Sequence, residues 1–339
     1  MVMKTPFIKA LKEQYPNSTI DLIAGNSYGA EYILKDSKLI NKTIIVKEEE
    51  KEMQKYLKAE FDYDIAFLAF DAAPSFLPKF LKKTATKKLI RHYLPSKNPL
   101  TKAKRKLHKK TIWVPLRENI HETELNIDLL KALKHSSFSY DESTFVEHTP
   151  KKTIIEKYEI KQPYILIQPG AANGTDPTKV WAVQNYIELI QNILNHYGHP
   201  IVLVGDKGDY VDAIEPLLKH FENDNRIINT ASKTSIEDLK NLIYYSSCII
   251  CHDSGVMHIA DAMQKNLIAL FGPSDFNRVR PKRKTSRTLR SNTEYFNVKH
   301  FFKPFTTKQL KKGLALNYPM SGISVDEVLQ AVNNIYNAD

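Results

Sequence analysis

From residue 164 onward, short apolar runs alternate with amphipathic stretches, and the changes are sharply punctuated. Residues 164–168, 200–204, 226–229, 248–251 and 267–271 have strand length and an Ile-, Leu- and Val-rich character. Between them, 183–196, 210–220, 235–245 and 256–263 carry apolar residues at helical spacing. Strands alternating with helices predict a parallel, doubly wound sheet whose ligands sit at the carboxyl ends of the strands. A closing helix starts at Ser324, where Glu327 completes a capping box. Val325, Val328, Leu329, Val332 and Ile335 then make one apolar stripe.

The first half shows the same rhythm less clearly. Residues 6–15 read as a helix with Phe7, Ala10 and Leu11 on one face, Thr5 placed to cap and Pro6 at its first position; Pro16 stops it. Strands are predicted at 18–24, 42–46, 63–70, 88–93 and 111–116, and an amphipathic helix at 122–133. Together these predict a first α/β layer structure. The polar stretch 147–162, with Pro150 inside it and Pro163 just beyond, reads as the linker.

A chain of 339 residues has room for two such domains, and its 42 % hydrophobic and 26 % charged composition is that of a globular protein. No apolar run is long enough to span a bilayer and no signal-peptide core precedes Lys4, which points to the cytosol. Two cysteines agree with a reducing compartment. The net charge of +11 is concentrated: residues 79–110 hold 13 Lys or Arg and no Asp or Glu, which leaves the rest at −2. Such a field attracts polyanions: nucleic acid, an anionic membrane face or a phosphorylated glycolipid.

Three loops of the second half carry candidate chemistry. In Gln168-Pro-Gly-Ala-Ala-Asn-Gly-Thr-Asp-Pro-Thr-Lys-Val-Trp181, Gly170 and Gly174 permit close backbone approach and Lys179 supplies a mobile cation beside a helix start. That set suits a diphosphate. In Cys251-His-Asp-Ser-Gly-Val-Met-His-Ile-Ala260 a strand turns through Gly255 into a helix, presenting N–H groups at Ser254, Gly255 and Val256. Asp253 and Ser254 also suit helix caps, and His258 a satisfied interior histidine. In Val204-Gly-Asp-Lys-Gly-Asp209, Asp206 and Asp209 both stand where a carboxylate can accept from ribose hydroxyls, and both suit turn positions. Cys248 and Cys251 point to opposite faces of a strand, Ser254 lacks a hydrolase elbow, and no acidic cluster suggests a divalent cation. Neither a metal nor a cofactor is expected.

Taken together these loops resemble glycosyltransferase family 9, the ADP-heptose:lipopolysaccharide heptosyltransferases. The similar stretches are Gln168-Pro-Gly-Ala with Lys179-Val-Trp181, Lys233-Thr-Ser-Ile-Glu-Asp-Leu239, Asp253-Ser-Gly-Val-Met-His-Ile-Ala260, Phe271-Gly-Pro-Ser-Asp275, the closing 321–332 and the Thr5-Pro6 helix. The resemblance implies two facing Rossmann-like domains of the GT-B type. Residues 1–150 would hold the acceptor and 151–320 the nucleotide sugar, with 321–339 forming a helix that packs back toward the first domain. It implies that Lys179 contacts donor phosphates from the loop that begins at Gly170. By the same resemblance Asp253, Ser254 and Gly255 would hold the diphosphate and sugar, His258 would support them, and Asp209 would correspond to the ribose-binding acid. The implied reaction is an inverting, metal-independent transfer of a heptose or related sugar from ADP-heptose to the lipopolysaccharide inner core. Lys104, Arg105 and Lys106 are expected to attract the anionic glycolipid acceptor, with peripheral contact at the inner membrane face. A nucleotide-sugar epimerase on the same plan is one alternative. A nucleic-acid-binding protein is another, disfavoured because the basic segment interleaves few aromatic residues, and no nucleic-acid partner is expected.

Two departures from the family pattern bear on this reading. Residues 69–74 read Ala-Phe-Asp-Ala-Ala-Pro where members carry a Gln-Gly-containing stretch. Aligning on Thr5-Pro6 places the family's first strand and its catalytic aspartate before Met1, so no catalytic residue is assigned. A degenerate, inactive relative would explain this as well, but the expectation is a gene start about ten to fifteen codons upstream. On that view the chain as written has a sheet gap beside 20–23, binds nucleotide and transfers sugar poorly.

Overall fold

In the computed structural model the described residues are 1–25, 29–35, 37–46, 63–69, 86–93, 95, 105, 109–133, 138–170, 179–272, 274–291 and 320–337. The chain divides into two compact units, Met3–Glu147 and His148–Asp339. The division falls at the start of the polar stretch.

The first unit opens with α1 (Thr5–Gln14), whose first turn holds Pro6, where a missing N–H costs the helix nothing. Thr5 does not cap it. Its buried hydroxyl accepts a hydrogen bond from the Phe145 N–H at 3.0 Å instead. β1 (Asp21–Gly25), α2 (Ala30–Ile33), β2 (Lys42–Val46), β3 (Ile65–Leu68), β4 (Lys88–Tyr93), β5 (Thr111–Pro115) and α3 (Glu122–Leu133) follow. All described pairings are parallel, β1 with β2 in one sheet and β3-β4-β5 in another. Among the described strands β1 is paired along one edge alone. The apolar faces of α1 and α3 meet through Ala10, Ile127 and Leu130, with Phe7 edge-on to Phe67 at 5.1 Å. Alternation along β4 turns Ile90 and His92 toward α3, where the His92 Nε2–H donates to the Leu125 carbonyl at 2.8 Å. Arg91 and Tyr93 occupy the opposite face.

The second unit has α4 (Thr153–Lys157), where the sequence suggested only linker; buried Ile154 and Ile155 hold it down. Then come β6 (Ile165–Ile167), α5 (Val183–His196), β7 (Ile201–Leu203), α6 (Lys207–Asp209), α7 (Glu215–His220), β8 (Ile227–Asn229) and α8 (Ile236–Tyr245). β9 (Cys248–His252), α9 (Gly255–Ala262), β10 (Leu267–Phe271), α10 (Phe276–Val279), β11 (Ser286–Arg290) and α11 (Val325–Tyr336) complete it. The sheet is parallel, in the order β11-β10-β9-β6-β7-β8. Strands β6, β7, β9 and β10 are buried throughout, as their unbroken apolar runs require in a sheet covered on both faces. The strand order reverses between β6 and β9, and that crevice is where a doubly wound sheet takes its ligand.

Two further elements of this unit differ from the sequence pattern. The helix expected over 210–220 begins earlier and passes through a wider turn at Tyr210–Ile214, closed by the Glu215 N–H on the Tyr210 carbonyl. Pro216 has no N–H to continue the α-pattern there. β11 was not foreseen because Ser-Arg-Thr-Leu-Arg lacks an apolar run; it is an edge strand, where Arg guards against further pairing. The closing helix α11 keeps its capping box, Ser324 with Glu327. Its stripe (Val325, Val328, Ala331, Val332) packs into the core of the second unit. The reason is complementarity: the same cluster holds Ile190 and Ile193 of α5, with Trp181 donating its indole N–H to the Ile323 carbonyl at 2.9 Å.

Candidate functional site

The crevice between β6 and β9 is bridged at its floor. Gln168, just past β6, accepts from the Ser254 hydroxyl at 2.6 Å through Oε1. Through Nε2 it donates to Asp209 Oδ2 at 3.2 Å. Ser254 is also the cap of α9, accepting from the Met257 N–H. The two strand ends and the start of α6 are thereby fixed by one polar chain.

At the mouth, Lys179 Nζ donates to Asp253 Oδ2 at 3.3 Å, and His258 Nε2 lies 4.0 Å from Asp253 Oδ1. The Lys179 and Asp253 side chains keep 26 % and 15 % of their exposure, so both can be reached from solvent. Burial works to raise the Asp253 carboxyl, but Lys179, with help from His258 and the Ser274 hydroxyl, holds it below the usual carboxylate value. Asp253 is therefore an anion that keeps a cation poised beside the N-terminus of α9. Among the described residues a Cβ placed on Gly255 would meet nothing within 4 Å, which leaves the first turn of that helix open to a ligand. A diphosphate placed there meets both the cation and the N–H groups of the helix start.

Two expected site residues, Gly170 and Asp209, pack against each other. A Cβ on Gly170 would come within 2.1 Å of Asp209 Oδ1, so this glycine makes room for a buried carboxylate. Asp209 is 2 % exposed, accepts from Gln168 and the Asp206 N–H, and burial pushes its pKa up. It is an internal brace, not a surface ribose acceptor. Asp206, which caps Gly208 and Asp209 at 2.8 and 3.0 Å, is the exposed carboxylate of that turn. Of the acceptor residues, Lys104 and Lys106 lie outside the described residues, as does Gly174. The Arg105 guanidinium stacks 3.9 Å from the Tyr93 ring centroid, and Arg91 lies over Trp113 at 5.2 Å.

No motif in the sequence singles out His252. It ends β9 fully buried, with Nε2 accepting from the Trp181 N–H at 3.0 Å and Nδ1–H donating to the Gly170 carbonyl at 3.1 Å. Its position directly before Asp253 was the only signal for it, because its partners are 71 and 82 residues away. No described helix is long and apolar enough to cross a membrane.

The sequence matches glycosyltransferase family 9 (heptosyltransferase) over residues 55–306. It is 34 % identical over 140 residues to lipopolysaccharide heptosyltransferase 2 of Salmonella typhimurium, covering 41 % of this chain and 39 % of that protein. It is 27 % identical over 312 residues to lipooligosaccharide heptosyltransferase 2 of Haemophilus ducreyi, covering 86 % and 85 %. The structure of the E. coli ADP-heptose lps heptosyltransferase II superposes with a TM-score of 0.71 at 20 % identity, covering 100 % of this chain and 95 % of that one.

Proposed function

Because the chain belongs to glycosyltransferase family 9 (heptosyltransferase), we propose that it transfers a heptose or related sugar from an ADP-sugar to a lipopolysaccharide inner core. The donor is suggested by the ADP-heptose of the E. coli neighbour and the acceptor by the relatives' names. One observation carries the reading: a solvent-reachable Lys179–Asp253 pair beside the unobstructed start of α9, at the reversal of the strand order.

The acceptor hydroxyl attacks the anomeric carbon from the face opposite the diphosphate. A C–O bond forms as the bond to the diphosphate breaks, so the configuration inverts; ADP leaves with the electron pair and the hydroxyl proton passes to a general base. Lys179 and the N–H groups at the start of α9 meet the charge that develops on the leaving diphosphate, without a metal. Asp253, set free as the ammonium turns to phosphate, is placed to accept from sugar hydroxyls. The basic residues of 79–110 gather the phosphate- and carboxylate-rich acceptor, which places the reaction at the cytoplasmic face of the inner membrane.

The test is calorimetric titration with ADP. Lys179→Ala should weaken binding by about 1.5–3 kcal/mol, the scale of a hydrogen bond to a charged group. Unchanged affinity would remove the donor site from this crevice.

A further inference from the structure

We propose that His252 is a positioning residue for the donor diphosphate: it fixes Gly170 and Trp181, and through Trp181 holds Lys179 where the phosphates arrive. The proposal rests on the donor-site reading above. A neutral imidazole carries one donor and one acceptor on a rigid ring. His252 turns both to backbone groups, the Gly170 carbonyl and the Trp181 N–H, which stand before and after Lys179 in the chain. The Trp181 N–H can only donate, so Nε2 is the bare nitrogen and Nδ1 carries the proton. Burying a polar ring is costly unless its nitrogens are bonded, and here those bonds are what define the backbone beside Lys179.

The neighbours support this use of the ring. Tyr186 stands edge-on to His252 at 6.0 Å and to Trp181 at 5.0 Å, and its hydroxyl also donates to Nε2 at 3.2 Å, so the imidazole plane is set by packing and by this further bond. His252 and Asp253 are consecutive at the end of an extended strand, and their side chains leave on opposite sides. Asp253 takes the Lys179 ammonium at the mouth while His252, from the interior, takes the backbone two residues further on. A lysine side chain is long and flexible. Anchoring its backbone cuts the freedom it must lose when it meets a phosphate.

The experiment is a double-mutant cycle read by calorimetric ADP titration, with Lys179→Ala, His252→Leu and the double variant. His252→Leu should raise the ADP dissociation constant about tenfold when Lys179 is present, as loss of a buried hydrogen-bonding ring implies. In the Lys179→Ala background the same change should cost under about twofold, because its effect passes through the ammonium. The donor KM should rise with it while the acceptor KM stays. An equal cost in both backgrounds, or none in either, overturns the proposal while leaving the donor site intact. No loss of affinity in Lys179→Ala alone sinks the donor-site reading instead. Should His252→Leu fail to fold, His252→Gln and His252→Asn replace it. The longer amide reaches the place of Nε2 and keeps the Trp181 bond, whereas the shorter reaches the place of Nδ1 and keeps Gly170. His252→Gln should then bind ADP more tightly than His252→Asn; equal or reversed affinities overturn the proposal.

Discussion

Gly170 and Gly255 flank the same crevice, and each lacks a side chain for a different physical reason. At Gly170 the space is already filled by Asp209; at Gly255 it is empty. Only the second is a statement about what comes from outside. Gly255→Val should therefore fold with a melting temperature within about 2 °C of the wild type, the range of a surface substitution. Its ADP affinity should fall roughly tenfold, because the added methyls stand over the N–H groups at the helix start. Gly170→Ala should show the opposite, a lowered melting temperature with ADP still able to stabilise what folds. Thermal unfolding with and without ADP separates the two. A Gly255→Val protein that ADP stabilises as fully as the wild type would show that the helix start is not where the phosphates lie.

At the scale of elements, legibility followed the continuity of the apolar pattern. β2, β4, α3, α5 and β10 have the bounds their patterns predicted, because burial on one stripe or both faces leaves a long periodic record. β11 left none: an edge strand can be polar, and its pairing with β10 is written in backbone, not in side chains. The site was legible in the same uneven way. Lys179, Asp253 and Ser254 stand out by the glycines and helix starts of their loops, and the fold brings Lys179 onto Asp253. Asp209 looked like a ribose ligand because its place in the loop says nothing of which way the turn carries it. His252 was missed since a lone histidine ending an apolar strand gains meaning only from Gly170 and Trp181, brought to it by the fold. For the basic segment, charge is a better guide than pattern. Replacing Lys104, Arg105 and Lys106 together by Glu should raise the acceptor KM, most at low ionic strength where the Debye length is longest, and leave ADP affinity nearly unchanged. Steady-state kinetics at two salt concentrations, beside an ADP titration, reads both. Equal losses in the two would make the segment part of the nucleotide site.

Across the whole molecule the titratable interior sets a window of pH stability. His92 in the first unit and His148, His199 and His252 in the second are all held below the ordinary imidazole value by burial, His252 down to about 4. Their contribution is complete above about 6.5, the unfolded value, and is lost as pH falls toward and through the folded values. Burial pushes Cys248 and Tyr336 up to about 12, and Tyr164 and Tyr186 upward as well. These groups contribute below their unfolded values and lose that contribution as pH rises. Urea unfolding should accordingly find greatest stability between about pH 6.5 and 9, and His252→Leu should flatten the acid limb. An acid limb of the same steepness in that variant would mean that other groups drive it. The chain's two tryptophans have a bearing on all such measurements. Trp113 is half-buried on β5, stacked under Arg91 in the first unit, and Trp181 is sealed in the second with its N–H groups bound to His252 and Ile323. Each unit thus carries a single tryptophan. One emits from a half-buried place beside an arginine, the other from a dry interior joined by one imidazole to Gly170. Light collected at two wavelengths can follow the two units separately in the unlabelled protein.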